Sequence, residues 1–114
     1  MNLNKESDSW LQKGIAINQA NKLYDAIPCY TQALKLNPDN FLSMFNLAAN
    51  YERLHKFGSA RKWFKMAAET KPNMEIAHCA AGLNAFKLGR YKEALKSFQD
   101  CIGVYEELKA GKIL

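Results

Sequence analysis

The chain has 114 residues, a formal net charge of +5 and an apolar share of 48%, which suit one domain with a modest core. No apolar run approaches the roughly 18 residues of a membrane span, and the first seven residues are too polar for a secretory signal, so we expect a cytoplasmic protein outside the membrane. Cys29, Cys79 and Cys101 lack the close spacing of zinc or redox pairs, which predicts reduced, mostly buried thiols rather than disulfides.

Apolar residues spaced three and four apart predict an amphipathic first helix around Trp10, Gly14 and Ile17, ended by Asn21 and Lys22. Further helices are expected over 23–36, 41–54, 57–70 and 75–88, and a sixth from about residue 91. Prolines 38 and 72 and Gly89 punctuate these segments. No stretch alternates apolar and polar residues for long enough to predict a strand.

A skeleton of small and aromatic residues returns every 34 residues along the chain. Its members are Ala26, Tyr30, Ala33 and Pro38, then Ala60, Phe64, Ala67 and Pro72, then Ala94, Phe98 and Cys101. Such a period marks stacked units that cannot bury their apolar faces alone. The alanines allow the two helices of a hairpin to approach closely, and the aromatic rings fill the space between hairpins.

With this pattern the chain resembles the tetratricopeptide repeat (TPR) family. The resemblance is carried by Trp10, Gly14, Ala26, Tyr30, Ala33 and Pro38; by Leu47, Ala48, Tyr51, Ala60, Phe64, Ala67 and Pro72; and by Gly82, Ala94 and Phe98. It implies an all-α solenoid of three antiparallel helix-turn-helix hairpins. We expect a flexible lead over residues 1–6, a repeat domain over 7–108 (repeats 7–40, 41–74 and 75–108), and an end over 109–114 that continues the last helix.

The resemblance also implies that the first helix of each repeat lines a concave groove for a protein partner. The candidate groove residues are Leu11, Ile15, Leu42, Phe45, Asn46, Ala49, Ile76, Cys79, Leu83 and Phe86. Their apolar character predicts that the groove docks an apolar peptide or an amphipathic helix, as in an adaptor or scaffold that assembles a complex. The alternative is that these side chains pack between neighbouring first helices and are never open.

Some members of the family grip the acidic C-terminal tail of heat-shock chaperones with five polar or basic groove residues. The matching positions here hold Leu11, Ile15, Asn46, Ile76 and Ala80, and only Asn46 agrees. Because a buried carboxylate without charged donors is costly, these residues argue against a chaperone tail as the partner.

A basic patch of Arg61, Lys62 and Lys65 around Trp63 supports a second hypothesis, in which the convex face binds nucleic acid or an acidic protein surface. A solvated helix face is favoured over this reading, and nucleic acid is therefore the less favoured partner. A third hypothesis makes the chain a targeting module of a longer protein.

Nothing in the sequence predicts an enzyme, a cofactor or a metal site. The chain has no phosphate-binding glycine loop and no histidine pair at metal-ligand spacing. His78 and Cys79 are adjacent, so on a helix they point about 100° apart and cannot act on one atom. The apolar residues Ile102, Val104, Tyr105 and Leu108 near the end predict self-association through the last helix or a further packed element.

Overall fold

The computed structural model describes residues 2–112 and, within them, consists of six helices and no strands. The helices are α1 (Leu3–Gln19), α2 (Leu23–Leu36), α3 (Phe41–Arg53), α4 (Phe57–Thr70), α5 (Glu75–Lys87) and α6 (Tyr91–Lys109). Each helix packs mainly against the next one in the chain, which gives three antiparallel hairpins stacked in a row. The predicted all-α solenoid of three hairpins is confirmed.

The first helix begins earlier than the sequence pattern suggested. The side chain of Asn2 accepts a hydrogen bond of 3.1 Å from the backbone N–H of Lys5, so Asn2 caps a helix that starts at Leu3. Most of the lead predicted to be flexible is therefore helical, while Met1 lies outside the described residues. At the other end α6 stops at Lys109, and Gly111 takes a left-handed turn with φ 74°. The predicted continuation beyond residue 112 lies outside the described range.

The three hairpins turn through one residue each in the left-handed region of the backbone. These residues are Asn21, His55 and Gly89, with φ of 61°, 62° and 78°. They are spaced by the same 34 residues as the skeleton. A side chain makes this conformation costly, and asparagine tolerates it better than most residues. His55 is therefore the most strained of the three.

The repeating skeleton forms the core. Ala26 and Ala60 are fully buried, Ala94 is 2% exposed, and the rings of Tyr30 and Phe64 pack beside them. Gly14 and Gly82 face aromatic rings so closely that a Cβ atom at either position would lie 2.6 Å from Tyr30 or 2.8 Å from Phe98. Glycine is thus required where the two helices of the first and third hairpins touch.

A buried polar network joins the first two hairpins. The side-chain amide of Asn18 donates to the Tyr30 hydroxyl at 2.8 Å and to Oδ1 of Asn50 at 2.9 Å. Asn50 donates back to Asn18 at 2.9 Å and to the Leu23 carbonyl at 3.0 Å. Because each buried group finds a partner, the network fixes the relative position of α1, α2 and α3.

The third hairpin carries a disulfide, contrary to the predicted reduced thiols. Cys79 of α5 and Cys101 of α6 are bonded, with their Cα atoms 5.3 Å apart. Cys29 is the buried free thiol that the prediction described. The prediction failed because it considered spacing along the chain, whereas the two cysteines meet across facing antiparallel helices.

The exposed face of α6 carries several large apolar side chains. Leu95 and Ile102 are each 59% exposed, and Tyr105 is 50% exposed. Val104 and Leu108 are half-buried. Self-association through this helix stays a prediction.

Candidate protein-binding surface

Four of the predicted groove residues form an exposed apolar surface on α3 and α5. Leu42 is 52% exposed, Ile76 58%, Leu83 42% and Phe86 55%. The three residues of α5 are spaced by seven and three, so they lie on one face of that helix. We call this set the apolar groove surface. Large side chains exposed together in this way are typical of binding sites.

The predicted groove is closed at its first-repeat end. Leu11 is only 3% exposed and belongs to the main core cluster with Met44 and Leu47, so it does not offer an open surface, and its assignment to the groove is corrected. Ile15 is half-buried against the same cluster. The alternative that these side chains pack between helices therefore holds for Leu11, but not for the four exposed residues.

The remaining candidate groove residues are neither fully buried like Leu11 nor widely exposed like Ile76. Phe45 is half-buried, with its ring 5.2 Å from that of Phe64 in an edge-on arrangement. Ala49 is also half-buried. Cys79 is half-buried and held in the disulfide, so it has no free thiol. Asn46 donates from its side-chain amide to the Leu42 carbonyl at 2.7 Å, which leaves its side-chain oxygen to accept from a ligand.

Two exposed cations stand beside the apolar groove surface. Arg53 ends α3 and lies 3.4 Å from the side-chain oxygen of Asn21, and Lys87 ends α5 with its Nζ 4.7 Å from the centre of the Phe57 ring. Glu52, the neighbouring acid, accepts a hydrogen bond of 2.6 Å from Asn84. Both cations follow the repeat spacing, which is the signal that could have included them among the site residues.

The predicted basic patch is partly paired with an acid of α6. Arg61 donates to the carboxylate of Glu93 from Nε at 2.9 Å and forms an ion pair with it through Nη2. Lys65 lies 3.8 Å from the same carboxylate, and Lys62 stacks over Trp63 at 5.4 Å. The Arg61 hydrogen bond holds the pKa of Glu93 below its usual range. Glu93 thus ties Arg61 of α4 to α6, while Lys62 and Lys65 stay exposed. The sequence pattern could not show that this acid lies beside the patch.

The residues first considered for chemistry have structural partners. A ring nitrogen of His78 lies 2.8 Å from the Pro72 carbonyl, which links α5 to the preceding turn. Within residues 2–112, no cluster of three or more His, Cys, Asp or Glu side chains is suited to hold a metal ion. No helix in the described part of the chain has the length and apolar character needed to cross a membrane.

Comparison with known sequences identifies the family. Profiles of the tetratricopeptide repeat match residues 13–75 and residues 76–108. The chain belongs to the tetratricopeptide repeat family, and it is a protein-interaction module.

Three relatives illustrate the range of the family nearby. The chain is 33% identical to the small glutamine-rich tetratricopeptide repeat-containing protein 2 of Mycosarcoma maydis, over 75% of this chain and 25% of that protein. It is 30% identical to the heat-shock protein cognate (HSC) co-chaperone sgt12 of Aspergillus fumigatus, over 82% of this chain and 28% of that protein. The chain thus spans about a quarter of the length of these relatives. Among solved structures, the first TPR domain of Spaghetti (RPAP3) bound to the HSP90 peptide SRMEEVD is 26% identical with a TM-score of 0.81, over 89% of this chain and 80% of that one.

The Spaghetti complex and the HSC co-chaperone contradict the prediction that argued against a chaperone tail. That prediction was wrong because it weighed only the five positions that grip carboxylates elsewhere in the family. It left out the apolar contacts that the methionine and valine of such a peptide can make, and it left out cations such as Arg53 and Lys87.

Proposed function

We propose that the protein is an adaptor that docks the C-terminal peptide of a heat-shock chaperone on the groove formed by α3 and α5. The exposed apolar groove surface is the observation that carries the proposal. A related domain binds SRMEEVD, which combines two apolar side chains with three acidic ones. The net charge of +5 complements that acidity and favours rapid encounter.

The apolar side chains of the peptide would supply most of the affinity. Each large side chain covered on the apolar groove surface contributes up to about 1.5–3 kcal/mol, before the costs of association and ordering are subtracted. Ile76, Leu83 and Phe86 line one face of α5, and Leu42 stands on the neighbouring first helix α3. An extended peptide that crosses these helices can place its methionine and valine on this surface.

Polar groups beside this surface would set the direction of the peptide. Asn46 offers its side-chain oxygen to a peptide N–H, because its amide already donates to Leu42. Arg53 and Lys87 offer charge to the acidic side chains and to the terminal carboxylate. Since both cations are solvent-exposed, each contact is worth at most about 1 kcal/mol. We therefore expect the removal of apolar contacts to weaken binding more than the removal of charge.

The test is the affinity for a fluorescein-labelled SRMEEVD peptide, measured by fluorescence anisotropy for two matched variants. Ile76→Ser removes an isoleucine from the groove, while Ile102→Ser removes one of almost equal exposure, 58% against 59%, from α6. We expect Ile76→Ser to raise Kd at least about fivefold and Ile102→Ser to leave it unchanged. Equal effects of the two substitutions, or no saturable binding by the wild-type protein, would refute the proposal.

The charge contribution can be measured separately. Amidation of the peptide terminus and the substitutions Arg53→Gln and Lys87→Gln should each weaken binding by roughly two- to fivefold. A loss of a hundredfold on amidation alone would show that a carboxylate grip, rather than the apolar surface, dominates recognition.

A non-catalytic role and a cytoplasmic location belong to the same proposal. The non-catalytic role is supported by the match to a repeat family that presents binding surfaces, and the location stays a prediction that the state of the cellular thiols can test. Because disulfides are uncommon in the cytoplasm, trapping the cellular thiols with maleimide tests the location. Cytoplasmic protein is expected to carry Cys79 and Cys101 mostly as reduced thiols, whereas a fully oxidised pair in cells would count against that location.

A further inference from the structure

The junction between the second and third hairpins contains a cavity of about 510 Å³ on the side of the molecule away from the groove. Its wall is built from α4, α5, α6 and the turn at Pro72. His78 and Ala81 line it from α5, on the opposite side of that helix from Ile76 and Leu83 by helical spacing. The volume lies within the range of small-molecule pockets.

The repeat shows why this junction is hollow. The equivalent positions of the first junction, 34 residues earlier, hold Leu34, Met44, Leu47 and Trp63, which pack into one cluster. At the second junction the same positions hold Ala68, His78, Ala81 and Ser97, and all four line the cavity. Two leucines are replaced by alanines and a tryptophan by serine. The space that an indole ring fills at the first junction is therefore left open at the second.

The charges around the cavity favour a cation. Three acids and two lysines, Lys65 and Lys96, line it. Two of the acids are already paired: Glu93 with Arg61 and with Lys65 at 3.8 Å, and Asp100 with Lys96 at 2.7 Å. The third acid, Glu69, makes no ion pair among the described residues. An ammonium group placed beside Glu69 would gain a partner, whereas a carboxylate placed there would be repelled by Glu69, the one lining acid that has no paired cation among the described residues.

We propose that this cavity is a binding site for a small aromatic amine, whose ring occupies the space of the missing indole and whose ammonium group pairs with Glu69. The walls supply apolar contact from Ala68, Ala81 and Pro72. A ring for the apolar space and an ammonium group for Glu69 are combined in one compact molecule, an arylalkylamine of about a dozen heavy atoms. Such a ligand is expected to bind with Kd on the order of 1 mM.

Titration of the ¹⁵N-labelled protein with tryptamine, followed by NMR chemical shifts, tests the site. Saturable shifts of the amides of Ala68, Ala81 and Ser97 are expected. Indole-3-acetate has the same ring with the opposite charge and should bind at least about threefold more weakly. Glu69→Gln should remove this preference, while Lys35→Gln at the equivalent position of the first junction should not. Shifts that never saturate, or equal binding of the two indoles to the wild-type protein, would overturn the proposal.

A filled cavity provides the second test. Ala81→Leu reproduces Leu47 of the first junction, so the variant is expected to fold, to melt at a higher temperature and to lose tryptamine binding. Ala68→Leu, which reproduces Leu34, provides the same test if Ala81→Leu does not fold. Undiminished binding by a folded, filled variant would place the ligand elsewhere. A tripeptide with an N-terminal tryptophan should bind more weakly than tryptamine, because the rest of its backbone must extend out of the cavity past its edge. Tighter binding of the tripeptide would instead assign the cavity to the N-terminus of a peptide.

Discussion

Substitution of Gly14 by alanine tests the contact on which the first hairpin is built. The added Cβ would lie 2.6 Å from Cε1 and 3.0 Å from Cδ1 of Tyr30, well inside van der Waals contact. The ring is fully buried, and its hydroxyl accepts a hydrogen bond from Asn18 at 2.8 Å, so it cannot swing aside freely. Overpacking costs about 1–3 kcal/mol, and loss of the hydrogen bond costs about 1 kcal/mol more.

Helix propensity acts in the opposite direction, because alanine is favoured over glycine by about 1 kcal/mol in a helix interior. We therefore expect Gly14→Ala to lower the free energy of unfolding by about 1–3 kcal/mol. Gly103→Ala is the matched control, since a Cβ at Gly103 has nothing within 4 Å. That variant keeps only the propensity gain and should be more stable by about 1 kcal/mol.

Urea unfolding followed by far-UV circular dichroism measures both changes through the midpoint, provided that the slope of the transition stays constant. The second repeat suggests a rescue, because there Ala48 stands at the position of Gly14 and Phe64 at that of Tyr30. Adding Tyr30→Phe to Gly14→Ala frees the ring from Asn18 and should recover part of the loss. If Gly14→Ala proves as stable as Gly103→Ala, the close approach of α1 and α2 is not the constraint described above.

Three other perturbations have definite expected outcomes. His55→Gly relieves the left-handed backbone at the second turn, so it should raise the free energy of unfolding by about 1 kcal/mol and the melting temperature by a few degrees, whereas Asn21→Gly should change it less. Reduction of the disulfide removes the loop that this bond closes in the unfolded chain. With the cysteines 22 residues apart, losing that constraint should lower the free energy of unfolding by up to about 3 kcal/mol. Cys101→Ser should abolish this sensitivity to reductant in thermal melts, and Cys29→Ser should retain it. The pKa of Glu93 is lowered in the folded state, chiefly by its hydrogen bond with Arg61. The carboxylate therefore contributes to stability above the ordinary carboxyl pKa of 4.5, and this contribution is lost as the pH falls through the lowered pKa. Glu93→Gln should therefore be less stable than the wild type at pH 7 and equally stable in strong acid, and a difference that persists in acid would contradict this role.

The helices were predictable because their ends are marked by residues with fixed backbone preferences. Pro38, Pro72 and Gly89 stop the helical pattern where the structure stops it, and α3 and α5 end one residue before the predicted bounds. The early start of α1 was missed because its cap, Asn2, lies before the first repeat. Periodicity identifies a repeat but does not detect a cap outside it.

The disulfide could also have been predicted from the sequence by working out which residues face each other in the third hairpin. In antiparallel helices, contacting residues keep a constant sum of numbers, and Gly82 faces Phe98. Cys79 is three residues before the first and Cys101 three residues after the second, so the same pairing brings the cysteines together. The ion pair between Arg61 and Glu93 could not be predicted in this way, because it joins one hairpin to the next. The burial of Leu11 likewise depends on how closely α1 and α3 stack, which no local pattern specifies.

The two proposed sites lie on opposite faces of α5, and this geometry makes a prediction about their coupling. Ile76 and Leu83 face the groove, whereas His78 and Ala81 line the cavity. The disulfide ties α5 to α6, so we expect α5 to move little when the cavity is filled. We expect saturating tryptamine to leave the Kd for SRMEEVD unchanged in the oxidised protein, as measured by anisotropy. Coupling between two ligands is reciprocal, so a change in the affinity for either ligand when the other ligand is added would show that α5 shifts between two positions. Repeating the titration after reduction would show whether the disulfide keeps the two sites independent.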